Sequence, residues 1–383
     1  MTRRRLLATA ASVTVAGLVT VGTSAAPATA RPVDDRCSLP GGAIPVRALP
    51  AATRPGCSLV GRLVTDGRVS VRVPPAGYSV AGDGVGRHGE VRGLVVANTG
   101  DVVRVGHTGP TSSRGAGGGG WYLAPISPLT TATTNTTTST PTSLPPGAMV
   151  RATSSTLSNT PVNTVTSATP VIVPSAARGH RGSPSACQDR TFNLEHHTWS
   201  AHVQYRVNLA RMPARFHQRV VIQQIRAANA NMRTGRNTCG KPRLKTPSAR
   251  YLGRTSVRPD ITPGGPTCQK PDGRNVVGFA NLPGGLLGWT CYWWNNRTGR
   301  MAAADMLIDN GPGLATELPS PCTNRWDFEG TVTHEWGHVY GMAHTGSGHQ
   351  NLTMQHLLSP CSTYARTLGL GDWLGMNKMY GHR

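Results

Sequence analysis

Large side chains are scarce in the first half of this 383-residue chain. Of its aromatic residues only Tyr78, Trp121 and Tyr122 precede Ala186, and six of its eight cysteines also follow that point, so any sizeable core has to be C-terminal. Acidic residues are few, 17 against 39 basic ones, and the resulting charge of +22 favours adsorption to an acidic surface such as a cell wall. Only four of the basic residues are lysine, and no Lys/Arg block interleaved with aromatics follows the opening segment, which argues against a specific nucleic-acid interface. Three chemical signatures are missing. No C-x-x-C is present to form a thioredoxin-like dithiol or a cysteine zinc site. Neither G-x-S-x-G nor G-x-x-x-x-G-K-[ST] occurs, so the nucleophile elbow and the phosphate loop are excluded too. After the first 30 residues no apolar run is long enough to cross a bilayer, and no transmembrane anchor is expected.

The opening itself reads as an export signal. Arg3, Arg4 and Arg5 precede an apolar stretch over residues 6–22, and Ala28-Thr29-Ala30 supplies small residues for cleavage, so residues 1–30 are expected to be removed from a secreted, extracellular protein. An oxidising exterior makes an even cysteine count most simply a disulfide set. Cys37 and Cys57 stand apart from the others and are expected to pair. Cys187, Cys239, Cys268, Cys291, Cys322 and Cys361 admit fifteen connectivities, among which spacing does not choose.

Composition divides the remainder into three parts. Residues 31–110 carry Val-rich runs at 58–64, 69–73 and 90–105, broken by Asp66-Gly67, Pro74-Pro75 and Thr99-Gly100, and read as a small β-module or pro-segment. Residues 111–183 are rich in Gly, Ser, Thr and Pro, with Arg151 the only charged residue between 127 and 170, which predicts a disordered linker between two bodies. Residues 184–383 have a globular texture. Val203, Tyr205 and Val207 alternate as in a half-buried strand, and Pro213 opens a helix in which Phe216, Val220, Val221, Ile225, Ala228 and Met232 recur until Gly235 ends it. Further strands are expected at 251–255, 276–282 and 306–309. This order predicts an α+β fold, a mixed sheet with helices packed on it.

The chemistry concentrates in His334-Glu335-Trp336-Gly337-His338-Val339-Tyr340-Gly341-Met342-Ala343-His344. On a helix His334 and His338 are one turn apart and project from the same face, so their imidazoles can converge on one ion. Asp327 suits the N-cap of that helix. Gly341 can adopt a positive φ that ends the helix and returns the chain, bringing in His344 as third ligand. Three neutral imidazoles leave a fourth zinc position open for water, as catalytic zinc requires. Glu335 lies beside the ligand pair rather than within it, placed to act as general base.

These residues match every fixed position of HExxHxxGxxH, and the chain thereby resembles the metzincin metallopeptidases. Met354, in Asn351-Leu352-Thr353-Met354, lies where that family carries a methionine turn beneath the zinc. Tyr205-Arg206-Val207-Asn208, Asn275-Val276-Val277-Gly278-Phe279-Ala280, Ala304-Asp305-Met306 and Arg366-Thr367-Leu368-Gly369 through Tyr380-Gly381 fall in the order of the matrixins. The resemblance covers residues 187–381. It implies a zincin-like domain with a mixed twisted sheet, an active-site helix and a C-terminal helix. It also implies one catalytic zinc on His334, His338 and His344, with Glu335 catalytic and Gly341 and Met354 in support. Polypeptide substrate would add as a strand along the sheet edge of an open cleft, and the working unit would be a monomer.

The sequence departs from the matrixin pattern in several places. No histidine lies between His217 and His334, which removes the ligands of a second, structural zinc, and the paucity of acidic residues there speaks against structural calcium. His356 stands where some metzincins place a tyrosine, as either a fourth ligand or a surface residue. Arg36-Cys37 resembles the blocking cysteine of matrixin precursors, but blocking needs a free thiolate and the Cys37–Cys57 pair is expected instead. The leading expectation is a secreted zinc metalloendopeptidase. The alternative is a surface- or cell-wall-attached zinc-fold protein that acts on peptidoglycan peptides or binds without catalysis, and the intact Glu335 argues against an idle site.

Overall fold

A computed structural model describes residues 41–49, 57–89, 91–108, 122–125, 183–195 and 197–381. The export signal, Cys37 and nearly all of the expected linker lie outside the described residues. Among those described, no helix is long and apolar enough to cross a membrane.

The fold is α+β. A nine-stranded sheet contains, in chain order, β1 (Tyr78–Gly86), β2 (Leu94–Asn98), β3 (Val102–His107), β4 (Tyr122–Pro125), β5 (Val203–Val207), β6 (Ala249–Arg254), β7 (Val276–Ala280), β8 (Leu286–Asn295) and β9 (Arg300–Asp309). Its spatial order is β6-β5-β7-β9-β8-β1-β2-β3-β4. The first four of these strands run parallel. Every pairing from β9·β8 onward is antiparallel. Among the described residues three α-helices accompany the sheet, α1 (Gln218–Thr234), α2 (Phe328–Val339) and α3 (Leu370–Tyr380).

Alternation along each strand divides the core in two. Ala81, Val85, Leu287 and Tyr292 join the helices in one cluster, while Val80, Trp289, Cys291 and Trp293 join residues 44–73 in the other. The second layer is a five-stranded sheet of short strands, in which Ser70–Arg72 pairs with Thr267–Cys268. Helix α1 forms as its spacing predicts, with Val221, Ile225, Ala228 and Met232 buried. It ends where Gly235 turns to φ 64° and its N–H reaches back to the Met232 carbonyl.

The strands expected of an independent module at residues 31–110 are present but do not stand apart. β1 pairs with β8 along almost its full length, and all the described residues fall in one compact unit. The physical reason is the scarcity of large side chains before residue 186. The valines of this segment bury themselves against Trp289 and Trp293, which its own composition could not replace. Within the expected linker, Tyr122–Pro125 extends the sheet by pairing with β3. The disulfides are Cys187–Cys239, Cys268–Cys291 and Cys322–Cys361. Cys57 is disulfide-bonded, and Cys37, its expected partner, is not among the described residues.

Candidate metal centre

Helix α2 carries the site and is anchored at its start. Asp327 caps it, accepting from the Gly330 N–H at 2.7 Å, and is itself held by Arg366 through two guanidinium contacts. All twelve residues of the helix are buried, so it is an internal support and not a surface helix. Gly341 takes φ 94°, and a side chain there would meet the His197 carbonyl at 2.4 Å; the chain therefore turns at Gly341 and brings His344 back to the helix.

The three imidazoles meet tip to tip. His334 Nε2 is 3.1 Å from both His338 Nε2 and His344 Nε2. Their opposite nitrogens are committed elsewhere. His334 Nδ1 donates to the Thr353 carbonyl at 2.7 Å and His338 Nδ1 to the Met342 carbonyl at 3.0 Å. The His344 ring hydrogen-bonds the Gly84 backbone, with Nδ1 3.5 Å from Asp83 Oδ1. With the ring hydrogens on the Nδ1 side, each Nε2 presents a lone pair, so the short contacts are not hydrogen bonds; three lone pairs facing one another could hold a cation between them. Among the described residues this trio forms the group that could hold a metal ion.

Electrostatics point the same way. Burial drives His334 well below the usual imidazole range, aided by His338 and His344. Burial also lowers His338 to about 4, against the opposing pull of Asp83, and His344 to about 3. All three are therefore neutral at ordinary pH, the form in which an imidazole can bind a metal. Carboxyl groups crowd around them. Burial raises Asp83 and lifts Glu335 well above the usual carboxylate range, and burial together with the Asp83 charge raises Glu195 to about 8. A divalent cation would offset the repulsion among these acids and return them to their ionised forms.

Glu335 stands beside the trio as its position on the helix implies. Its Oε2 accepts from the Thr290 hydroxyl at 2.6 Å and its Oε1 from the Val85 N–H at 3.1 Å, and a side chain at Gly288 would strike it at 2.5 Å. Met354 packs beneath the helix, fully buried, so close to Gly337 that an added Cβ there would fall 2.1 Å from its sulfur. Asp372 at the start of α3 accepts from the backbone N–H groups of Thr353, Met354 and Gly369, fixing the turn whose carbonyl orients His334. His356 is not part of the trio. Its ring centroid lies 6.0 Å from that of His344, at the rim.

Sequence reasoning missed Asp83, Thr290, Tyr292 and Asp372. Tyr292 lays its ring parallel to His338, with centroids 6.4 Å apart. None of the four belongs to a spaced motif, and only strand pairing places Asp83 opposite Thr290. No protein-family model matches this sequence, and no curated protein matches it.

Proposed function

We propose that the protein is a secreted zinc metalloendopeptidase of the metzincin type, with a matrixin-like catalytic region over residues 184–383. The observation that carries this reading is the convergence of three neutral, backbone-oriented imidazoles on one point with the Glu335 carboxylate beside them. Two metal–nitrogen bonds of about 2.0–2.1 Å at a tetrahedral angle would set ligand nitrogens about 3.3 Å apart, close to the spacing of the Nε2 atoms. His334, His338 and His344 would hold the zinc. Met354 would support it from below, as the resemblance implies. When bound, the ion supplies Lewis acidity and lowers the pKa of a water molecule. Glu335 then takes a proton from the attacking water and delivers it to the departing amine, a role suited to a carboxylate held by Thr290.

Metal analysis of the purified full-length protein is expected to find one zinc per chain. Glu335→Ala should retain that zinc while losing about 10²-fold or more in hydrolysis of unfolded protein, the usual loss for a general base. Undiminished turnover in this variant, or wild-type zinc content after His338→Ala, would overturn the reading. One observation favours the alternative of binding without catalysis: the trio and Glu335 are almost completely shielded from solvent.

A further inference from the structure

The stretch of chain that crosses from β5 through α1 to β6 carries charge of one sign. Between Glu195 and Asp260 the sequence places thirteen basic residues and no acidic one. Three of them, Arg219, Arg226 and Arg233, recur every seven residues along α1 and so share one face of it, about 10 Å apart at 1.5 Å per residue. Arg219 and Arg226 are exposed and Arg233 is half-buried. No acidic residue of α1 offsets them.

The same face borders a cavity of about 580 Å³ against β5 and β6. Gln223, Arg226 and Arg233 line it from the helix, Arg250 and Tyr251 from β6, and Tyr205 from β5, and none of its lining residues is acidic. The Arg226 guanidinium lies over the Tyr251 ring, 6.0 Å from its centroid, a stacking that orients the group and leaves its N–H edges open to a ligand. Arg233 Nε is sealed from solvent and has no hydrogen-bond partner among the described residues. A buried donor of a charged group left without an acceptor costs free energy, which an anion in the cavity would recover. None of the three arginines of the cavity is ion-paired with a carboxylate among the described residues. A planar carboxylate is matched by one guanidinium fork, whereas the several oxygens of a phosphoryl group can accept from two arginines at once.

We propose that this cavity is an anion-binding site for phosphoryl groups carried on a linear polymer, with Arg226 and Arg233 as its principal donors and Arg219 continuing the track. The polymer follows from the row, because arginines about 10 Å apart exceed the span of a single phosphoryl group. Helix α1 offers no aromatic residue on which bases could stack, which favours a polyol or glycan phosphate over a nucleic acid. None of the lining residues belongs to the metal centre, so the site holds the protein on a polyanion without engaging the histidines. The inference does not rest on the endopeptidase reading.

Calorimetry on the full-length chain at fixed ionic strength tests it, with poly(glycerol phosphate), inorganic phosphate and oligothymidylate as probes. The polyol polymer should bind at least about tenfold more tightly than inorganic phosphate, and more tightly than oligothymidylate of equal charge. Arg233→Lys keeps the net charge but loses the guanidinium fork, and it should weaken polymer binding about tenfold or more, as should Arg226→Gln. Arg297→Gln removes the same charge from the exposed turn between β8 and β9 and should change the affinity little. Arg226 is exposed and Arg233→Lys preserves the aliphatic stem, so thermal unfolding should be unaltered and the losses should be those of binding. Wild-type affinity in Arg233→Lys, or equal losses in Arg226→Gln and Arg297→Gln, would show adsorption by net charge alone and overturn the site. Inorganic phosphate or oligothymidylate binding as tightly as the polyol polymer would overturn the assignment of its ligand.

Discussion

Gly337 shows how a single position is decided by competing magnitudes. In an isolated helix glycine is worse than alanine by about 1 kcal/mol, so Gly337→Ala would ordinarily stabilise α2. Here the new methyl group would land 2.1 Å from Met354 Sδ and 3.1 Å from the Met232 methyl group, and overpacking of a dense core costs about 1–3 kcal/mol. Net destabilisation is expected, measured by denaturant unfolding; a gain in stability would show that Met354 yields freely. The histidines carry a pH prediction. Protons compete with a metal only below the folded pKa of its ligands, and burial holds His338 at about 4 and His344 at about 3, with His334 also well below its usual value. Metal affinity should change little from pH 7 to pH 5 and fall steeply as the pH drops through about 4, as read by chelator competition. A loss beginning near the ordinary imidazole value of 6.5 would contradict the burial of the trio.

At the scale of elements, α3 matters through its first turn. Asp372 accepts from three backbone N–H groups, and its removal leaves them unsatisfied in a dry site, at roughly 1–3 kcal/mol for each buried group and less than additively. Asp372→Ala is therefore expected to lose about 3 kcal/mol or more of stability. It should also lose about tenfold or more in metal affinity, because the Thr353 carbonyl no longer orients His334. Unchanged affinity in a folded variant would show that the turn holds without α3. Helices α1 and α2 were legible because their signals are local: apolar spacing with a terminal glycine in one, and a capped motif in the other. Besides β4, which falls inside the expected linker, the strands that pass unread are β1 and β8, which pair with each other. Both are buried on both faces, so neither alternates apolar with polar residues, and β1 is further disguised by three glycines and an aspartate that resemble a turn.

For the whole molecule, the sharing of strands and cores makes the N-terminal segment structural whatever else it does. Deleting residues 31–125 would strip the partner strand from β8 and expose Trp289, Trp293, Leu286 and Leu307 along one face. A patch of that kind exceeds what a monomeric surface tolerates. The shortened chain is expected to aggregate or to unfold at markedly lower temperature than the full chain, as scanning calorimetry and size-exclusion chromatography would show. A soluble shortened chain of unaltered stability would mean that β8 can close its own edge.

The sequence by itself determined the chemistry of the histidine trio. His334, Glu335 and His338 are fixed relative to one another by helical geometry, and Gly341 makes the return to His344 possible, so five residues within one short segment encode the trio and the carboxylate beside it. Only the tertiary structure decided what faces them. Asp83 stands opposite Thr290 through a strand pairing between residues more than 200 positions apart, and no local periodicity records such a register. The same holds for the disulfide pairs, for Asp372 behind the turn, and for the choice between a free module and a strand laid across the metal centre. Each depends on which buried faces find one another once the chain has collapsed, which is a property of shape and volume and not of spacing.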